Sequence, residues 1–322
     1  MKKRLMVAAI AKDEAAYLPE WIAYHLMLGV DHIRVFVNNL EDNTRELLET
    51  IALFAPISIY EADIYWQKDK SFPIDNLTNE EFFAKNHFQA RAMSKMYRMA
   101  TLEGYDYFTS IDVDEFIYLG GYSLEYFLTE VVNGRPTRLQ WFNVAGEADE
   151  FSHPIVGSLA GDFVPLHKLI IPTGINGIVF SSPHSLVHTR PKDCLSFSGD
   201  NAPCIIHRYH RSEREYLSML GKGDVLHTVG QLKSNRVGFD LNPRSSLLIP
   251  QALIDNFETA YQHMLAENGV SDHLIAGRKF VLQRAQFVKD YFAQLSEDES
   301  NKLRMFDGTM LKPGKACIKF WN

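Results

Sequence analysis

Three acids in one short stretch, Asp112, Asp114 and Glu115 of TSIDVDEF, are the residues whose type and spacing speak most directly of chemistry. They close an apolar run, YDYFTSIDVDEFIYL, that has the character of a strand. Alternation along an extended segment places Asp112 and Asp114 on one side, where two carboxylates converge on a hard cation and the phosphates bound to it. Without a cation or donors, such acids repel one another. The plainer reading is a solvated turn, where Asp is common.

Acids at a strand end need a scaffold that presents strand ends. LMVAAIA, residues 5–11, is a continuous apolar run of strand length, and AAYLPEWIAYHLMLGV behind it repeats its apolar residues at helical spacing. HIRVFVNN is a second strand, EDNTRELLETIALF a helix capped by Asp42 or Asn43, and ISIYEAD a third strand. This βαβαβ order predicts an α/β fold: a Rossmann-like, mostly parallel sheet with helices on both faces, whose ligand crevice lies beyond the carboxyl ends of the strands. WQKDKSFPIDNLTNEE reads as a loop, and the helical pattern after it ends at Gly104. SLEYFLTEVV is a short helix, TRLQWFNV a strand, and residues 145–205 a Gly- and Pro-containing region with short strands. From Ser212 three helical patterns follow, so the chain divides into an α/β domain, 1–211, that holds the acidic cluster, and a helical C-terminal extension, 212–322.

The 322 residues are 46% hydrophobic, enough for a folded core, and the formal charge of −7 excludes a chain-wide basic surface for nucleic acid. No stretch approaches the roughly 20 apolar residues of a membrane span. The opening MKKRLMVAAIAKDE has the look of a signal peptide, but charges follow its short apolar run at once, and we read it as the first strand. Cys194, Cys204 and Cys317 lack zinc or disulfide spacing, which predicts a reducing, cytoplasmic setting. The last segment mixes Lys312, Lys315 and Lys319 with Phe320 and Trp321. It reads either as a peripheral contact with the inner membrane surface or as a tail packed on its own domain.

The motifs then add up to more than a lone DxD. Lys12-Asp13-Glu14, Glu20-Trp21 with Tyr24-His25, Gly29-Val30-Asp31-His32, and Asp112 to Phe116 follow in an order that resembles the GT-A fold glycosyltransferases, in the branch around family 2 and the related family 92. HKLIIP around Lys168, Pro183-His184 and HRYHRSEREYL from His207 resemble the later part of that pattern. Two positions depart from it: Asp13 stands where the family usually has Asn, and Val37 where an acid often ends the second strand.

The resemblance implies a metal-dependent, inverting, hexosyltransferase-type enzyme of polysaccharide biosynthesis, moving sugar from a nucleotide-sugar donor to a glycan or lipid-linked (glycolipid) acceptor. It implies Mn2+ or Mg2+ held by Asp112, Asp114 and His207, with His184 and His210 as second choices. Asp13, Glu14, Asn39, Asp42 and Gln89 would meet the nucleotide, with Asp112 on the ribose or a metal-bound water and Lys168 on phosphate. The base that takes the acceptor's proton is sought among Asp193 and Asp200, ahead of Glu147 and Asp149. Two other readings stand beside this one. One is a non-catalytic glycan-binding protein on a decayed transferase fold. The other is a DxD phosphotransferase, which wants Thr or Val where this chain has Phe116.

Overall fold

The computed structural model describes residues 2–62, 88–175, 177–187, 193–199, 201–223, 232–233, 236, 238–239 and 243–313. The loop read at 66–81, Asp200, Cys317 and the tail from 314 lie outside the described residues.

The N-terminal elements follow their hydrophobic patterns closely. β1 (Leu5–Ala11), β2 (His32–Val37) and β3 (Ile57–Glu61) alternate with α1 (Leu18–Met27) and α2 (Thr44–Ala52). α3 (Phe88–Leu102) stops short of Gly104, whose φ of 74° is the left-handed conformation that ends helices. β4 (Tyr107–Ser110) then lies parallel to β1, with Ser110 opposite Ala8. Asp42 accepts from the Thr44 amide at 2.9 Å, while Asn43 donates to the His273 carbonyl at 2.9 Å.

The sequence pattern of a single strand through the acids is broken in the structure. β4 ends at Ser110 and β5 (Glu115–Tyr118) begins at Glu115, so Asp112 and Asp114 sit in a turn closed by the Glu115 amide on the Asp112 carbonyl at 3.0 Å. Both carboxylates face the same cleft, but turn geometry puts them there, not strand alternation. A second difference is β7 (Ser158–Pro172), one long strand inside the region expected to hold only short ones.

Leu124–Tyr126 (α4) runs on as a π-helical turn, Phe127–Val132, into β6 (Thr137–Val144). After β7 come β8 (Phe180–Ser182), β9 (Ser185–Leu186), β10 (Leu195–Ser196) and β11 (Cys204–His207). The strand order is β3-β2-β1-β4-β7-β6-β11-β5. β3, β2, β1 and β4 are mutually parallel, β7 enters antiparallel between β4 and β6, β11 runs parallel to β6, and β5 closes the edge antiparallel.

Both faces of the sheet are covered, which is why β1 is apolar throughout. Val7, Ala9 and Ala11 pack against Trp21, Ile22 and Leu48 of α1 and α2. Met6 and Ala8 point the other way, onto Met93, Met96 and Tyr97 of α3. The C-terminal part supplies α5 (Glu213–Lys222), α6 (Gln251–Ala266), α7 (Val270–Ala293) and α8 (Glu297–Lys302). It also returns one strand, β12 (Ser245–Leu248), which pairs with β7. Phe257, Tyr261, Leu274 and Val281 of these helices share one buried cluster with Trp21 and Tyr24. Gly277 of α7 lets that helix lie against the β1–α1 loop, since a Cβ there would meet the Ala16 amide nitrogen at 2.7 Å.

Candidate active site

The parallel strands β1 and β4 end side by side, and the loops that leave them form one wall of a cleft of about 280 Å³. Register supplies the opposite wall. β11 lies between β5 and β6 with His207 opposite Glu115 on one side and Asn143 on the other. The Arg208 amide donates to the Asp114 carbonyl at 2.8 Å, extending the pairing to the acidic turn. Residues almost a hundred positions apart are thereby fixed next to one another.

His207 and Asp114 form the centre. The His207 Nδ1–H donates to Asn143 Oδ1 at 2.9 Å, because an amide oxygen can only accept. That fixes the tautomer and leaves the Nε2 lone pair facing Asp114 Oδ2 at 3.5 Å. Two donor atoms at this separation suit two ligands of one cation at about 2.0–2.2 Å each. Burial favours neutral His207, with Asp114 pulling the other way. Asp114 is held below the ordinary carboxylate range: burial opposes its charge, but His207, Arg211 and Arg236 outweigh it. Among the described residues no group of three or more His, Cys, Asp or Glu is arranged to hold a metal ion. A cation here would therefore take one carboxylate and one imidazole from the protein and its other ligands from phosphate and water, a familiar arrangement for ions that accompany nucleotides.

Asp112 and Glu115 are neutralised differently. Lys168, 1% exposed, sends its ammonium from β7 to Asp112 Oδ2 at 2.9 Å and to Glu115 Oε2 at 3.3 Å. Burial alone would push Lys168 down, yet the two carboxylates raise it. Asp112 stays below its usual range, with Lys168 outweighing burial, while burial drives Glu115 well above its own. Glu115 Oε2 also accepts from the Asp112 amide at 2.8 Å, so this side chain shapes the turn. The cation that the sequence demanded for this pair is thus built into the fold, and Lys168 lies beneath the acids instead of among the residues that line the cleft.

A basic rim faces the acids. Lys12, Lys222, Lys233 and Arg236 line the cleft together with Trp141 and Gln89. Lys222, in the last turn of α5, pairs with Glu14, and its backbone carbonyl accepts from Lys12 Nζ at 3.1 Å. Burial is the main reason that Lys12 is lowered and Glu14 raised. The Arg236 guanidinium stacks over the Tyr209 ring at 3.9 Å, and that of Arg211 over Tyr17 at 3.3 Å.

The remaining expected residues divide by location. Asp13, with φ of 51°, accepts from the Glu41 amide at 2.7 Å and from Arg284 at 2.7 Å, and Asp42 accepts from the Ala15 amide at 3.0 Å. These two acids lock the β1–α1 and β2–α2 loops together. Asn39 and Asp42 line a second hollow, at the end of β2, that shares no lining residue with the cleft. Asp193 is not brought to the cleft. Leu195, two residues on, pairs with Thr137 at the start of β6, six residues and so roughly 20 Å of strand from Asn143. His184 meets the Trp141 ring edge-on at 4.9 Å, and His210 packs against Tyr209, Tyr216 and Phe239.

With this geometry in hand, comparison with known proteins is informative over one stretch of the chain. Residues 7–154 match glycosyltransferase family 92. That stretch runs from β1 through β6 and holds Asp112, Asp114, Glu115, Trp141 and Asn143, and the match supports a glycosyltransferase. His207, Lys168, Lys222 and Arg236 fall beyond the family-92 stretch. No curated protein matches the sequence. Among solved structures, S. aureus TarS is similar at 13% identity and a TM-score of 0.28, over 46% of this chain and 23% of that one. The present chain thus spans under a quarter of that protein. A shorter form, TarS 1-349, is similar at 10% identity and a TM-score of 0.33, over 90% of this chain and 91% of that one. Both scores are too low to carry an argument about the site.

Sequence reasoning missed Asn143, Trp141, Lys222, Lys233 and Arg236. Asn143 and Trp141 sit two apart near the end of TRLQWFNV, where Arg138, Gln140 and Asn143 are all polar, so nothing local sets Asn143 apart. The basic residues lie on α5 and after it, and only tertiary packing reveals that this helix ends at the cleft.

Proposed function

We propose that the family-92 stretch and the elements packed on it form a metal-dependent hexosyltransferase that uses a nucleotide-sugar donor. The observation that carries the reading is the Asp114–His207 pair, tautomer set by Asn143, at the bottom of a cleft with four basic residues on its rim. Asp114 Oδ2 and His207 Nε2 would hold a divalent cation, Mn2+ or Mg2+. When bound, such an ion stabilises the charge that develops on a departing diphosphate.

The chain's own groups supply the rest. Lys12, Lys222, Lys233 and Arg236 draw the diphosphate in and oppose its charge, in a partly enclosed site where such interactions are stronger than in water. Asp112, its carboxylate 40% exposed and kept ionised by Lys168, faces the ribose or a water on the cation. Gln89, from the first turn of α3, reaches the same cleft and offers an amide to the nucleotide. The acceptor is a glycan or lipid-linked saccharide and the transfer inverting, both carried over from the family resemblance. A cytoplasmic location at the inner membrane surface belongs with that acceptor. Among the described residues no helix is long and apolar enough to cross a membrane.

Calorimetry tests the reading with UDP-, GDP-, CMP- and dTDP-sugars, with and without manganese, on the wild type and on Asp114→Ala. Binding of one donor that needs manganese and falls at least tenfold in the variant is expected. If none of the four classes binds under either condition, the chain is a non-catalytic protein on a transferase fold.

A further inference from the structure

We infer that Trp141 holds the sugar of the bound donor, its indole N–H donating to a hydroxyl oxygen of the donor's pyranose. This rests on the nucleotide-sugar reading above and names the part of the cleft that distinguishes a sugar nucleotide from the bare nucleotide.

Trp141 and Asn143 lie two apart on β6 and so share a face of the sheet, the face that carries His207 on the neighbouring strand. The Trp141 and His207 rings are 4.1 Å apart, so the indole adjoins the group that pairs with Asp114. A diphosphate held at Asp114 and His207 leaves its anomeric carbon, and the sugar attached to it, within reach of that indole.

The indole also carries an unmet hydrogen bond. Trp141 is 7% exposed, yet it lines the cleft, and its Nε1 has no hydrogen-bond partner among the described residues. An indole N–H donates only, and a buried donor left without an acceptor is costly. Sugar hydroxyl oxygens are acceptors of the required kind, and the apolar face of a pyranose suits an aromatic wall.

The surroundings hold this ring in place. His184 meets it edge-on at 4.9 Å and the Lys168 ammonium lies 5.8 Å from its centroid. The pairing of β6 with β7 shifts between Gln140 and Trp141, so that Pro165 and Leu166 of β7 have no partner. Proline lacks the N–H that a ladder needs. Such bulges increase local twist and re-aim side chains, and they are frequent beside active sites.

The test is the indole N–H signal of Trp141 in two-dimensional proton–nitrogen NMR, assigned by its disappearance in Trp141→Phe. It is followed while wild-type protein with magnesium, which is diamagnetic and leaves nearby signals sharp, is titrated with UDP-glucose, UDP-N-acetylglucosamine, GDP-mannose and dTDP-glucose, and with UDP, GDP and dTDP as sugar-free controls. Calorimetry on the same samples reports binding independently. The expected result is a shift of this signal with the sugar nucleotide that binds and none with its bare nucleotide. Trp141→Phe, which keeps an aromatic wall and loses the N–H, should bind that sugar nucleotide about three- to tenfold more weakly and the bare nucleotide unchanged. Binding with an unmoved signal, or undiminished binding by Trp141→Phe, overturns the assignment of Trp141 alone. Absence of binding by every sugar nucleotide overturns the donor reading and this assignment with it.

Discussion

Replacing Lys168 with methionine removes the ammonium beneath Asp112 and Glu115 while preserving most of the side chain's length and apolar packing. Glu115 is fully buried, so the change leaves its charge uncompensated, and breaking a buried pair in this way costs about 3–5 kcal/mol. Asp112 is 40% exposed and contributes little to this figure, because water screens it. At about 2 °C per kcal/mol for a chain of this size, the melting temperature should fall by about 6–10 °C. Glu115 sits well above its ordinary range through burial, so in the variant it escapes part of the penalty by taking a proton. A carboxyl raised in the folded state favours folding at low pH and loses that advantage as pH rises, so the deficit of Lys168→Met should grow from pH 5.5 to pH 8. Scanning calorimetry of wild type, Lys168→Met, Glu115→Gln and the double variant closes the cycle. The double variant should recover about 2 kcal/mol, because neither residue is then charged. A Lys168→Met protein as stable as wild type, with weakened donor binding as its only defect, would refute the role of Lys168 as an internal counter-ion and restore the phosphate contact read from the sequence.

Other consequences follow from the same contacts. Asn143→Leu leaves His207 Nδ1 without its acceptor, and manganese affinity measured by calorimetry should fall about 10- to 100-fold with little change in melting temperature. His25, buried with its pKa lowered from 6.5 to about 3, is neutral in the fold. Its Nδ1–H donates to the Trp21 carbonyl at 2.8 Å. A histidine lowered in the folded state supports stability above pH 6.5 and loses that support on acidification, by about 3 kcal/mol at pH 4. His25→Gln should flatten the acid limb of the stability curve by that amount. Gly277→Ala drives a methyl group to within 2.7 Å of the Ala15 Cβ and the Ala16 nitrogen, which backbone cannot yield cheaply. It should lose about 1–3 kcal/mol in urea unfolding, and it checks that α7 is seated against the β1–α1 loop.

The N-terminal half of the fold was legible in the sequence because its signals are local. LMVAAIA and TRLQWFNV are strands over the very residues their patterns mark, and the helix ahead of Gly104 stops where a left-handed residue is affordable. Asp112 and Asp114 of the acidic cluster do share one cleft, but not through strand alternation. The chain turns at Asp112 instead of running through it, and the repulsion expected among the acids is met largely by Lys168, 53 positions beyond Glu115. His207 was found through the family pattern and the short apolar strand that it ends, while its place beside Asp114 comes from strand pairing, which nothing local shows. Asp13 and Asp42 show the converse limit: their carboxylates hold amides of the neighbouring loop, a role that residue type alone does not separate from ligand binding. The basic rim escaped notice because its members come from the β1–α1 loop, the end of α5 and the segment after it.

In the function proposed here, Asp114 and His207 act together at a divalent cation in sugar transfer. Its most direct measurement is release of nucleoside diphosphate from the donor that binds, followed against manganese concentration in wild type, Asp114→Asn and His207→Ala. Turnover should rise with manganese and be abolished by chelation, with kcat lowered about 100- to 1,000-fold in Asp114→Asn. His207→Ala should need far more manganese for half-maximal rate. Undiminished turnover in Asp114→Asn, or turnover that persists in chelator, would contradict this joint role.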